Sequence, residues 1–156
     1  MTDVTEFSVA GKKLYLSPVL DLYNGEIIAW QTSEQPDFAL IQGMLDKALR
    51  RLANHEAPML HSDQGRAYQM RAYRERPAAR GMAQSMSRKG NCLDNAAMES
   101  FFGTLKSECF RLARFDSIEQ LRRAIADHIR DYNHERIKLK LKGLSPVQYR
   151  TQPLTP

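Results

Sequence analysis

The sequence predicts an α/β domain built on a five-stranded mixed sheet with helices on both faces. Three observations point there. β-rich runs fill the first 33 residues, and helical periodicity takes over after Pro36. Two further short apolar runs lie between helical segments, which gives the order βββαβαβαα. The chain is 156 residues long with 42% hydrophobic and 26% charged residues, enough for one ordinary core.

Taken in order, 2–9 (TDVTEFSV) alternates as a strand. Residues 13–20 (KLYLSPVL) and 26–32 (EIIAWQT) are β-rich runs flanking DLYNGE. There Asn24-Gly25 signals a tight hairpin, because both central positions of a primed turn need positive φ. Residues 37–52 place Phe38, Ile41, Leu45, Ala48, Leu49 and Leu52 on one helical face, with Asp37 as N-cap. PMLHS (58–62) reads as a short buried strand running into DQG. A helical stretch follows from Ala67. Pro77 lies inside it and predicts a broken, kinked or shortened helix, since an interior Pro costs about 3 kcal/mol. MAQSMS (82–87) is a short strand and RKGNCLD (88–94) a loop. A helix opens at Asn95, with Met98, Phe101, Phe102, Leu105 and Cys109 as its apolar face. Another spans about 117–135, capped by Ser117 with Gln120 at the capping-box position, and a short one starts at Pro146. Strands feeding helical crossovers are expected to be parallel and right-handed.

The net charge of +5 and pI near 9.4 point modestly to a polyanionic partner. No apolar run approaches a membrane span. Cys92 and Cys109 form no CxxC and suit reduced thiols in a cytoplasmic protein. The four histidines show no zinc-type pairing with them.

Three carboxylates fall at strand ends or on helix starts. Asp3 shares a strand face with Thr5, Phe7 and Val9, or else belongs to a frayed terminus. Asp63 follows a buried strand, and alone it reads as turn chemistry before Gly65. Glu99 lies off the apolar face of its helix, with Asn95 one turn before it and Lys106 two turns after. Gly103 lies between, at a position where Gly costs about 1 kcal/mol. Taken alone, Glu99 and Lys106 read as solvated surface.

Considered together, the segments TDVTEF, GKKLYLSPVLDLYNGEIIAW, LHSDQG, QSMSRKGNCLDNAAMESFFGTLKSE and YNHERIKLKLKGLSPVQYR resemble, in order and spacing, the DDE insertion-sequence transposases. The catalytic core of that family looks like retroviral integrase. The resemblance covers nearly the whole chain. It implies an RNase-H-like fold over 1–150 with a C-terminal helical extension and a tail at 151–156. It also implies a metal-binding triad of Asp3, Asp63 and Glu99 holding two Mg²⁺ or Mn²⁺ ions, hydrolysis of a phosphodiester to free a 3′-OH, and strand transfer to target DNA. Carboxylates about 5 Å apart repel by roughly 3 kcal/mol per pair at an effective dielectric near 20, so such a cluster suits hard divalent cations. The same resemblance assigns Lys106 to a phosphate near the site, and Arg88, Lys89 and Asn91 to DNA contacts. Lys138, Lys140 and Lys142 form a second candidate edge. The implied partners are element-end and target DNA, further copies of the chain on DNA, and a helix-turn-helix protein from an upstream frame. The family places a Trp and that helix-turn-helix region ahead of TDVTEF. The chain is therefore expected to be a truncated copy, with end recognition largely outside it. An inactive fragment that binds DNA or full-length transposase, and a nuclease acting on RNA–DNA hybrids, are the competing expectations.

Overall fold

The computed structural model describes residues 1–88 and 95–153. Five strands form: β1 (Thr5–Val9), β2 (Lys12–Leu20), β3 (Ile27–Ser33), β4 (Leu60–Ser62) and β5 (Gln84–Met86). β1, β2 and β3 pair antiparallel as a meander, and β4 pairs parallel with β5. The ladder is thus three strands plus two rather than one continuous sheet. Residues 1 and 2 close the gap. The Leu20 amide donates to the Met1 carbonyl (2.8 Å), and the Thr2 amide donates to the His61 carbonyl (2.9 Å).

The tight primed turn is not at Asn24-Gly25. Ala10 and Gly11 both have positive φ (52° and 74°) and join β1 to β2 at the Val9–Lys12 pair. Between β2 and β3 only Gly25 has positive φ, and the connection runs over six residues. Asn24 has another use. It is buried, its Nδ2 donates to the Pro146 carbonyl (2.8 Å), and its Oδ1 accepts from the Glu26 amide (3.2 Å).

Helices cover both faces. Leu14, Leu16 and Leu20 of β2 share one face with Phe7 and Val9 of β1, under α4 (Ala96–Leu105) and α5 (Ile118–His134). Met98, Phe101, Leu105, Leu121, Ile125 and Ile129 fill that layer. Val19 and Ala29 face the opposite way, onto Ile41, Met44 and Leu45 of α1 (Phe38–Arg51). Asp37 caps α1 by accepting from the Leu40 amide (3.2 Å), as its sequence position predicts. The stretch after Gly65 is two helices, α2 (Arg66–Gln69) and α3 (Arg71–Ala79), separated by extended Met70. The break falls there and not at Pro77. That residue is buried in the last turn of α3, and the helix ends two residues later.

The C-terminal segment docks through buried polar groups. Asn133 of α5 pairs with both backbone groups of Ile27, accepting from its amide and donating to its carbonyl at 2.9 Å each. Glu26, 3% exposed, receives Arg51 from α1 (3.0 Å) and Arg150 from α6 (Pro146–Thr151, 2.8 Å). Asn133→Ala strands two buried backbone groups at once. We expect it to cost about 2–4 kcal/mol in chemical denaturation, with the far-UV signature of the folded state retained at zero denaturant.

Candidate active site

The acidic site is built at the seam where residues 1–3 meet β4. By strand alternation, Asp3 lies on the side of β1 that carries Phe7 and Val9, the side covered by α4 and α5. Its Oδ1 accepts from the Val4 amide (2.7 Å) and it is half-buried. Asp63 follows β4 and curls its carboxylate back on the chain, with Oδ1 accepting from the Gly65 amide (2.8 Å). This curl explains the glycine of DQG. A Cβ at residue 65 would stand 2.9 Å from Asp63 Oδ1 and 3.3 Å from the Tyr68 ring. Glu99 is exposed on the first turns of α4.

The charges of Asp63 and Glu99 both reach Asp3. Burial pushes the Asp3 carboxyl above the ordinary carboxylate range, and the negative charges of Asp63 and Glu99 push it the same way. The Val4 hydrogen bond opposes them only in part. Groups from the start of β1, the end of β4 and the start of α4 thus share one electrostatic neighbourhood. Among the described residues, no three His, Cys, Asp or Glu side chains are arranged so that they could hold a metal ion together. The donor set still suits a hard divalent cation. It is all oxygen, it carries mutual repulsion that a cation relieves, and Asp3 and Asp63 each commit one oxygen to a neighbouring amide.

The basic candidates separate. Lys106 begins a π-type turn, Lys106–Phe110, at the end of α4, and its Nζ lies 5.5 Å from the centre of the Phe7 ring. Seven residues of helix place it about 10 Å along α4 from Glu99, so it does not pair with the carboxylates. Arg88 is exposed just after β5. Lys89 and Asn91 lie outside the described residues, as does Cys92, while Cys109 is a free thiol. Lys138 does not belong to a phosphate-facing edge. Its Nζ donates to Tyr132 Oη (2.6 Å), sits 4.1 Å from that ring's centre, and is lowered by burial to about 8. Lys140 and Lys142 remain exposed.

Sequence reasoning missed the groups behind the carboxylates. His61 bonds Ser85 Oγ through Nδ1 (2.9 Å) and Ser87 Oγ through Nε2 (3.3 Å), and Ser87 Oγ also contacts Asn95 Oδ1 (3.3 Å). The alternation of His61 with Asp63, and of Ser85 with Ser87, was the available signal.

An integrase core domain family model matches residues 1–92, and a second integrase core domain model matches 99–154. The chain belongs to the integrase core domain family. It is 56% identical, over 156 residues, to the putative transposase InsK for insertion sequence element IS150 of Escherichia coli strain K12, covering all of this chain and 55% of that protein. It is also 56% identical over 153 residues to an uncharacterized transposase-like protein of Haemophilus influenzae, covering 98% and 70%. The chain thus spans about half the length of the first of these relatives. Among solved structures, the HTLV-2 integrase catalytic core domain in complex with magnesium superposes with a TM-score of 0.72 at 16% identity over 95% of this chain and 92% of that one. The integrase-like, RNase-H-like fold follows. Among the described residues no helix of this integrase core is long and apolar enough to cross a membrane.

The raised Asp3 pKa gives a signed prediction for the integrase core. A carboxyl whose folded pKa lies above its unfolded value contributes stability that is present below the unfolded pKa and lost as pH rises through the folded one. In chelator-treated protein, Asp3→Asn should therefore melt higher than the parent at pH 7. The difference should shrink as pH falls through the carboxylate range, and thermal melts across pH check it.

Proposed function

We propose that this chain is the catalytic core of a DDE-type insertion-sequence transposase, with Asp3, Asp63 and Glu99 as its catalytic and metal-binding residues. The observation that carries the reading is the shared electrostatic field of those three carboxylates, delivered by three separate elements. The names of the relatives, transposases of insertion sequences, support the same activity. The reaction is hydrolysis of a phosphodiester at an element end to free a 3′-OH, followed by in-line attack of that hydroxyl on target DNA without a covalent enzyme intermediate. Asp3, Asp63 and Glu99 would hold Mg²⁺ or Mn²⁺, as two ions, and the metal would supply charge stabilisation for the attacking and leaving oxygens.

The chain's own groups do the rest. Asp3, drawn between burial and two like charges, is the carboxylate with most to gain from a cation. Arg88, Lys89, Asn91 and Lys106 contact phosphates, and such contacts make affinity salt-dependent and largely independent of sequence. Gly103 supports a DNA-facing outer surface of α4. It is exposed, and a Cβ placed there meets nothing within 4 Å, so no internal neighbour requires the glycine. The partners are element-end and target DNA, further copies of the chain assembled on that DNA, and a helix-turn-helix protein encoded in an upstream frame. The setting is the bacterial cytoplasm, on the nucleoid.

Two measurements test the reading. In Mn²⁺-dependent joining of pre-cleaved ends, Glu99→Gln should reduce the rate by more than about 100-fold, beyond the usual cost of losing an outer partner of a metal ligand. The assay is run on the chain alone and on the chain grafted into its InsK-length relative. Equal joining by parent and variant removes Glu99 from the site. Gly103→Ala should raise stability by about 0.5–1 kcal/mol, since helical Gly is costly and nothing clashes. It should also weaken duplex binding severalfold. Unchanged DNA affinity in a salt titration would mean that this face of α4 does not meet DNA.

A further inference from the structure

We propose that Ser87 is a positioning residue, oriented by His61, that sets where Glu99 stands relative to Asp63. The proposal rests on the function proposed above and concerns how the same site is held.

Ser87 is buried and follows β5 directly. Its amide donates to the Ser62 carbonyl (2.9 Å), and its own carbonyl accepts from Gln64 Nε2 (3.1 Å). The residues immediately before and after Asp63 therefore both grip Ser87. Its hydroxyl also reaches Asn95 Oδ1 (3.3 Å), at the residue from which α4 starts, one turn before Glu99. Asn is a favoured helix cap because its side-chain oxygen accepts from the first turn. Asn95 makes no such bond with its own helix and directs that oxygen to Ser87 instead. One serine thus connects the strand end that carries Asp63 to the helix start that carries Glu99.

His61 supplies the direction. The Ser87 hydroxyl has one proton and three candidate acceptors at 3.3 Å: the Ser62 carbonyl, Asn95 Oδ1 and His61 Nε2. Placing the imidazole proton on Nε2 removes one of the three acceptors. His61 then donates to Ser87 Oγ and accepts from Ser85 Oγ at Nδ1 (2.9 Å), which turns the Ser87 proton away from the imidazole and leaves it to Asn95 Oδ1 and the Ser62 carbonyl. A serine that only completed the β4–β5 ladder would need its backbone alone. The hydroxyl is what extends the connection to α4. Removing it leaves the ladder intact and releases the spacing between the two carboxylates.

The test is Mn²⁺ binding by the full 156-residue chain, read from the electron paramagnetic signal of free Mn²⁺ and paired with metal-free melting curves. Ser87→Ala should weaken Mn²⁺ binding about tenfold, the scale of outer-partner losses at metal sites, with little change in metal-free melting. Ser87→Thr, which keeps the hydroxyl, should restore binding. Asn95→Ala, at a half-buried position, should match Ser87→Ala, and the double variant should be no weaker than the weaker single one. If Glu99→Gln loses Mn²⁺ while Ser87→Ala and Asn95→Ala bind like the parent, the positioning role is overturned and the site stands. If the parent binds Mn²⁺ no better than Glu99→Gln, the metal site is overturned and the positioning role with it.

Discussion

Two backbone hydrogen bonds hold the architecture together where the strand ladders stop. The Met1 carbonyl takes the Leu20 amide, and the Thr2 amide gives to the His61 carbonyl. Between them, residues 1 and 2 fasten the three-stranded meander to the β4–β5 pair. No side chain is required, only an extended backbone with free groups on both edges. Everything at the acidic site depends on this seam. It brings Asp3 beside the end of β4, and it lets helices on both faces pack against what behaves as one sheet. Net backbone hydrogen bonds contribute about 1 kcal/mol each, but leaving such groups buried and unpaired costs more.

A second constraint acts close by, where β2 turns into β3. Glu26 is nearly sealed from solvent, which for an isolated carboxylate costs several kcal/mol. Arg51 and Arg150 offset that cost from two directions, one on α1 and one on α6, and Arg150 also pairs with Asp21. Asn24 and Asn133 complete the cluster by bonding the Pro146 carbonyl and the Ile27 backbone. Such groups add less net stability than apolar packing would, because their desolvation is expensive. Their geometry fixes which helix meets which strand.

The acidic site is the converse case, where like charges are gathered and, among the described residues, no basic side chain forms an ion pair with them. Asp3 carries the desolvation and the repulsion, whereas Glu99 stays in solvent on a well-packed helix. The helix is anchored beyond Lys106 by the π-type turn. Phe110 meets Phe7 edge-on and stacks with Phe115, and Glu108 takes both guanidinium nitrogens of Arg136 from the end of α5 (2.6 and 2.9 Å). Rigidity around a locally unfavourable cluster is the arrangement expected where stability is given up for function.

Much of this was readable from the chain because it is local chemistry. The periods of β1 to β3 and of α1, α4 and α5 follow from side-chain spacing. Asp37 and Ser117 cap helices because a short side-chain oxygen next to a free amide needs no distant partner. The three carboxylates were nominated through motif order and place in the elements. What needed the tertiary structure were pairings between segments far apart in the chain. Asn24-Gly25 carries a hairpin signal and β2 and β3 do pair antiparallel across it, but through a six-residue connection in which Asn24 bonds the Pro146 carbonyl and the Glu26 amide. Lys138 sits in an alternating basic run, yet Tyr132 takes its ammonium. His61, Ser87 and Asn95 look unremarkable in sequence and acquire a role only once β4, β5 and α4 meet. Propensity and capping are settled within a few residues, whereas a polar side chain's partner is decided by whichever donors and acceptors the fold buries beside it.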